Sequence, residues 1–188
     1  VESFGTDIIE TEIKVPSNKK SANAAERDNA MSLATGVQIT TLNLEDMAEM
    51  RRLPNITNAY AAVTSQELAT YRSESKKVYV LGVTASYIEI DNSQVAQGRW
   101  FTEGEDKSLT QVAVVGQNIA AKLFGNQNPI GQFITLRQEK FLVIGVMEER
   151  GSVMYFNFDD YIYLPLRVLQ KKLMGINHVL YMVYQIAD

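Results

Sequence analysis

Cysteine is missing from this sequence, and histidine and tryptophan occur once each. Without a thiol there is no disulfide, no zinc–cysteine centre and no cysteine nucleophile, and the redox compartment is left open. The single histidine, His178, is the only conventional general base on offer. Long apolar runs are also missing. No stretch approaches the roughly 20 residues that cross a bilayer as a helix, and no secretory leader pattern opens the sequence. If the chain belongs to a membrane protein, the spans lie outside these 188 residues. Basic charge is scarce: 18 Lys and Arg against 22 Asp and Glu give a net charge of −4. The cations are scattered rather than striped, so no nucleic-acid partner is expected.

What is present is 46% hydrophobic residues, enough for one good core or two small ones. "IIETEIKV" at 8–15 alternates apolar and polar residues, the period of a half-buried strand. A polar, small-residue stretch at 16–36 reads as a long loop. "LNLEDMAEMRRLPN" reads as a helix: Asn43 caps it, Asp46 reciprocates, Leu42 packs on Met47, and Pro54 stops it. Leu44, Met47, Met50 and Leu53 form its apolar stripe. Strands are expected at 56–64, 66–72 and 77–83, the last two joined by a polar hairpin turn. Gly98 and "TEGEDKS" punctuate a loop around Trp100 and Phe101. Next come "VAVVGQNIAAKLFG", a Pro-Gly turn, and the strands "FITLR" and "FLVIGVM". "YIYLPL" is a short strand, "RVLQKKLMG" a helix ended by Gly175, and "HVLYMVYQI" a last strand with His178, Leu180, Met182, Tyr184 and Ile186 on one face. Strands outnumber helices without βαβ regularity, which predicts an α+β fold.

Reactive chemistry is hard to assemble from these parts. In "VAVVGQNIAAKLFG", Gly116 stands alone and is followed by Gln117 and Asn118 rather than Lys-Ser, so the stretch reads as scaffold and not as a phosphate loop. Asp159–Asp160 and Glu148–Glu149 are neighbours that point to opposite faces in an extended chain, which is no acid/base couple. "DNSQVAQG" at 91–98 lacks the ligand pattern of a calcium loop. No serine sits in Gly-x-Ser-x-Gly. No catalytic, cofactor-binding or metal-ligating residue is therefore expected. The aromatics of "MYFNFDDYIY" have two readings: alternate ones belong to a strand core, and Tyr155, Phe156 and Phe158 are candidates for partner contact.

The order of these pieces resembles the extracytoplasmic core domain of MacB-type ABC transporter permeases. The resemblance rests on Gly82-Val83, Gly98-Arg99 with Phe101, Asp106, Val115-Gly116, Leu123-Phe124-Gly125, Pro129-Ile130-Gly131, Ile144-Gly145-Val146, and Ile162 with Leu164-Pro165-Leu166. It is strongest over 79–166. It implies two lobes: a porter-like α/β lobe from both chain ends, residues 1–81 plus 176–188, and an inserted lobe at 82–175 with a small mixed sheet and short helices. Leu123, Phe124, Ile130 and Phe133 would be core of the inserted lobe, and Gly116, Gly125, Gly131 and Gly145 would serve turns or close packing. The family pattern carries one more helix after the last strand, whereas the sequence ends at Asp188.

The resemblance also implies a place on the periplasmic or extracellular side of the membrane, within an integral membrane protein. Its partners would be the permease's own membrane helices, an ABC ATPase, a periplasmic adaptor and an outer-membrane channel, with a dimer in the full transporter. The implied role is non-catalytic: coupling cytoplasmic ATP hydrolysis to work on a substrate or partner, in efflux or in lipoprotein release and envelope signalling. Such a role places the two chain ends close together and pointing the same way. A stand-alone binding module is the alternative and would need a deep pocket. A hydrolase built on His178 or the acidic loop is a third reading.

Overall fold

"ITNAYAAVTSQELATY", rich in alanine and β-branched residues, forms one long strand. The computed structural model describes residues 8–12, 40–153 and 156–187. In it β2 runs unbroken over Ile56–Tyr71, 16 residues, where two shorter strands were expected. Ser65, between the two expected strands, looked like an interruption. It is not one, because the backbone ladder to β3 (Glu74–Val83) continues through it from Ala62↔Val83 to Tyr71↔Glu74. The hairpin turn is Arg72-Ser73, with Arg72 in the left-handed region at φ 53°.

The described residues form a nine-stranded sheet with the order β1-β11-β2-β3-β10-β5-β7-β4. The remaining strands are β1 (Ile8–Glu12), β4 (Val95–Gly98), β5 (Val112–Val115), β6 (Phe133–Leu136), β7 (Glu139–Met147), β10 (Tyr161–Pro165) and β11 (Tyr181–Ile186). A separate two-stranded piece joins β8 (Ser152–Val153) to β9 (Phe156–Asn157). Strand β6 bridges β7 and the far end of β2, so the pairings β2-β3-β10-β5-β7-β6 return to β2 and close a ring. The fold is α+β.

Alternation sorts the side chains onto two faces. Ala61, Val63, Val80, Ala113, Val115, Ile134, Phe141, Val143 and Ile162 turn to the inner face and form the larger core cluster. Tyr60, Ala62, Leu81, Val83, Val114, Ile144, Tyr163 and Val183 turn to the other. The helices cover these faces. They are α1 (Leu44–Met50), α2 (Tyr87–Ile90), α3 (Glu103–Lys107), α4 (Gln117–Phe124) and α5 (Leu166–Val168), the last continuing as a π-helical turn over Leu169–Met174. The lobe boundary expected at 81/82 lies inside β3. Strand β10 of the expected insertion pairs in parallel with that same strand, and each core cluster draws on both segments. At this seam the segments share backbone bonds and core.

Several local expectations need correction. Helix α1 has the Asn43–Asp46 capping box, but it ends at Met50. Pro54 bars continuation, and Arg52 N–H and Leu53 N–H bond three residues back in a tightened last turn. Met50 and Leu53 are exposed, while Leu44 and Met47 rest on the core. The stretch from Gly98 through "TEGEDKS", read as loop, takes in the end of β4 and contains α3. Thr102 and Glu105 make a capping box there, the Ser/Thr-x-x-Glu signal that Gly104 obscured. Phe133, expected as core, is exposed. It stands opposite Leu142 on the outer face while Ile134 and Leu136 face inward. His178 precedes β11 instead of lying in it.

Glycine decides one crossing. Gly98 on β4 pairs with Gly145 on β7. A Cβ on Gly145 would sit 2.5 Å from the Arg99 carbonyl oxygen, and one on Gly98 (φ +76°) would overlap the Ile144 carbonyl oxygen. The same carbonyl accepts the Arg99 N–H at 2.9 Å. Gly98→Ala combines left-handed strain with a backbone clash. Its expected cost is about 2–4 kcal/mol, read as a fall of roughly 5–15 °C in the calorimetric melting temperature.

Candidate functional site: paired chain ends and an aromatic face

The chain enters and leaves side by side. Strand β1 pairs antiparallel with β11 from Ile8↔Gln185 to Glu12↔Tyr181, and β11 pairs on its other side with β2. Residues opposite each other in such a ladder have Cα atoms about 5 Å apart. Ile8 and Gln185 therefore mark one end of the sheet at which both ends of the described fold emerge.

From the opposite end of that ladder, where Glu12 pairs with Tyr181, a series of rings crosses the outer face of the sheet. Tyr181 on β11 meets Tyr60 edge-on at 6.3 Å between centroids, and Tyr60 meets Tyr87 at 5.1 Å. Tyr87 continues to Tyr163 at 5.8 Å and to Trp100 at 5.9 Å, and Trp100 stacks on Phe101 at 4.3 Å. Tyr163 leads to Tyr161, which stacks on Tyr79 at 5.4 Å. Each such pair adds about 0.5–1.5 kcal/mol beyond area burial. Burial pushes the phenols of Tyr60, Tyr87 and Tyr163 well above their ordinary range, so the rings stay neutral. The series surfaces at Tyr79, 46% exposed, with Leu68, 50% exposed, diagonal to it on the same face.

Phe158 joins this series. It stacks on Tyr161 at 5.8 Å, and the Arg150 guanidinium lies 4.4 Å from its ring centre. Arg150 is itself paired with Asp91, which also accepts from Ser93. Tyr155 and the side chain of Phe156 lie outside the described residues. An exposed apolar pair that the structure describes, Tyr79 with Leu68, was missed in the sequence. Tyr79 alternates with buried Val78 and Val80 in a strand that reads as core.

Two carboxylates hold loops to this frame. Asp106, buried, accepts the Arg167 backbone N–H at 2.7 Å and its guanidinium at 3.1 Å, which places α3 at the start of α5. Burial raises the Asp106 pKa, and the Arg167 bonds oppose the rise. Buried Asp159 accepts from the Arg150 and Gly151 N–H groups at 3.0 and 2.8 Å. Arg99 grips Glu105 with two bonds at 2.8 and 2.7 Å. These bonds hold Glu105 down at about 2, and burial opposes them.

The other singled-out residues are structural neighbours of this frame. Gly116 precedes α4, and its missing Cβ lets the Asp159 carbonyl approach. Leu123, Phe124 and Phe101 are buried. Gly125 and Gly131 carry positive φ in turns, Pro129 is buried beside them, and Pro165 ends β10. An open hollow beside β4 is lined by Gly98, Arg99, Ile130 and Leu142. His178 is buried. Among the described residues no cluster of three His, Asp or Glu side chains could hold a metal ion, and no helix is long and apolar enough to cross a membrane.

Two solved structures share this fold. The periplasmic region of MacB from Actinobacillus actinomycetemcomitans superposes with a TM-score of 0.77 at 19% identity, over 98% of this chain and 76% of that one. The extracellular domain of the ABC-type transporter YknZ from Gram-positive bacteria gives 0.74 at 20% identity, over 97% and 84%. The sequence matches the MacB-like periplasmic core domain family over residues 11–188, and the chain belongs to that family. A macrolide export ATP-binding/permease protein MacB of Nitrosomonas europaea is 35% identical over 71% of this chain. A pyoverdine export ATP-binding/permease protein PvdT of Pseudomonas aeruginosa is 32% identical over 77%. The matched segments span 21% and 22% of those two relatives.

Tyr87→Ala removes a buried ring from the centre of the series and is expected to cost about 3–5 kcal/mol, whereas Tyr79→Ala at the exposed end costs under about 1. Calorimetry of the two variants side by side reads the contrast. The Arg99–Glu105 pair has its own signature in pH. Because the folded pKa of Glu105 is depressed, its contribution is full above the ordinary carboxylate pKa and disappears as pH falls toward about 2. The melting-temperature gap between wild type and Glu105→Gln should be open at pH 7 and close on acidification.

Proposed function

We propose that this chain is the force-transmitting periplasmic domain of a MacB-like ABC permease. In this reading membrane helices attach at both ends, ATP is hydrolysed by a separate cytoplasmic domain, and this domain does conformational work outside the inner membrane without catalysing a reaction itself. The observation that carries it is the Ile8↔Gln185 pairing. Two membrane attachments can drive a body as a lever only if they reach it together, and here they are neighbouring strands of one ladder. At the other end of that ladder Tyr181 begins the packed ring series, and a lever needs stiffness in place of a reactive group.

Relatives named for macrolide and pyoverdine export favour efflux over lipoprotein release, with an adaptor, an outer-membrane channel and a dimeric transporter as the assembly. Residues 1–81 with 176–188 would form one lobe and 82–175 the other, joined at the β3–β10 ladder. Tyr79 and Leu68 supply an exposed apolar contact for a partner.

The test is a short Gly-Ser insertion after Ala187 in the full-length transporter, which slackens one attachment and leaves every strand intact. ATP hydrolysis should persist while export drops to the level of a strain without the transporter. Unchanged export would refute the proposal.

A further inference from the structure

The helix that follows β10 changes character halfway. Over Leu166–Val168 it is α-helical, and over Leu169–Met174 it bonds with π spacing, so that the Gly175 N–H reaches the Gln170 carbonyl. The Ile176 N–H reaches the same carbonyl at 3.0 Å. Successive residues of an α-helix are about 100° apart, yet Val168, Leu169 and Gln170 are all buried. A π turn accommodates so broad a buried face. The fit is close: a Cβ on Gly82 of β3 would lie 2.8 Å from Leu169 Cδ2 and 2.9 Å from its Cβ. Lys171 and Lys172 point to solvent.

This turn is fastened at identifiable points. Gln170, a polar residue within the core, donates from Nε2 to the His178 carbonyl at 2.8 Å. Arg137, whose Nε pairs with Glu67 at 2.9 Å, donates to the Leu173 carbonyl. Gly175 leaves the helix in the left-handed region at φ 66°. The chain then passes along Val179 N–H to Leu42 O and Leu180 N–H to Ala62 O, and enters β11. Every residue between the core strand β10 and the exit strand β11 belongs to this fastened stretch.

We infer that the π turn Leu169–Met174 is a register switch in series with the exit strand, with Gln170 as its catch on His178. Its second state is the same segment with α-helical bonding, in which the Gly175 N–H moves from the Gln170 carbonyl to that of Lys171. One residue of chain passes into the connection, a displacement of about 1.5 Å with a rotation of about 100°. The rotation carries Gln170 away from the His178 carbonyl, which frees the connection to β11. Single π turns are frequent at functional sites, and this one closes its helix just before Gly175. A force arriving along β11 selects between the two bonding patterns.

The inference rests on the force-transmitting reading, and the two can fail separately. Hydrogen exchange is measured on the full-length transporter in lipid nanodiscs, nucleotide-free and trapped with ATP and vanadate. Amides at 169–178 should differ between the two states by about tenfold or more, while those of β10 stay the same. Gln170→Leu should show the faster exchange at 169–178 in both states. Deleting Lys172, which favours the α-helical register, should abolish the difference and uncouple export from ATP hydrolysis. Identical exchange at 169–178 in the two wild-type states overturns the switch, whether or not the deletion variant folds. If the insertion after Ala187 uncouples export and exchange at 169–178 is nonetheless invariant, only the switch is lost. If that insertion has no effect on export, the force reading is lost.

Discussion

Strand β2 is the constraint on which the rest depends. One edge carries β3 along its C-terminal two thirds, and the other edge carries β11 near its start and β6 near its tip. Through β11 it holds the chain's entry and exit. Through β6 and β3 it closes the ring around the larger core. A strand of ordinary length, about five or six residues, could do one of these but not both. The unbroken ladder through Ser65 and Gln66 is therefore what makes a single body of the segments from the ends and from the middle.

Close backbone approach is the second constraint. Gly82 admits Leu169, Gly116 admits the Asp159 carbonyl, and Gly98 with Gly145 allow β4 and β7 to cross. Around these contacts the polar groups are satisfied locally: Asp106 at the start of α5, Asp159 on the 150–151 backbone, and Glu67 between Ser65 and Arg137. No buried side-chain polar atom among the described residues lacks a partner. The buried carboxylates Asp106 and Asp159 thus hold loops in place.

Much of this could be read in the sequence, for specific reasons. The capping box at Asn43–Asp46 and the strand-Gly-helix of 112–125 depend on contacts within a few residues, and they are local signals. So was the class of fold, since the strand periods are strong. The length of β2 was not legible, because polar residues at its centre carry the same signal as a turn. Nor was the exposure of Phe133 and Tyr79. Alternation tells that two faces differ, but only pairing partners tell which face is covered. The proximity of Ile8 and Gln185 could be expected from the family resemblance, whereas no local pattern encodes a contact across 177 positions. Tyr79 escaped notice for the same reason, being flanked by core on its own strand.

The β1–β11 ladder has a consequence for biogenesis. The first described strand finds its partner only when the last is present, and contacts of such sequence separation form slowly because the intervening loop must close first. During synthesis and passage across a membrane, the β1–β11 ladder cannot form until Tyr181 to Ile186 have emerged. For that interval β1 offers an unsatisfied strand edge, open to pairing with a neighbouring nascent chain. Completion of the fold thus waits for the last strand to emerge, and holding factors that cover extended segments would act in that window.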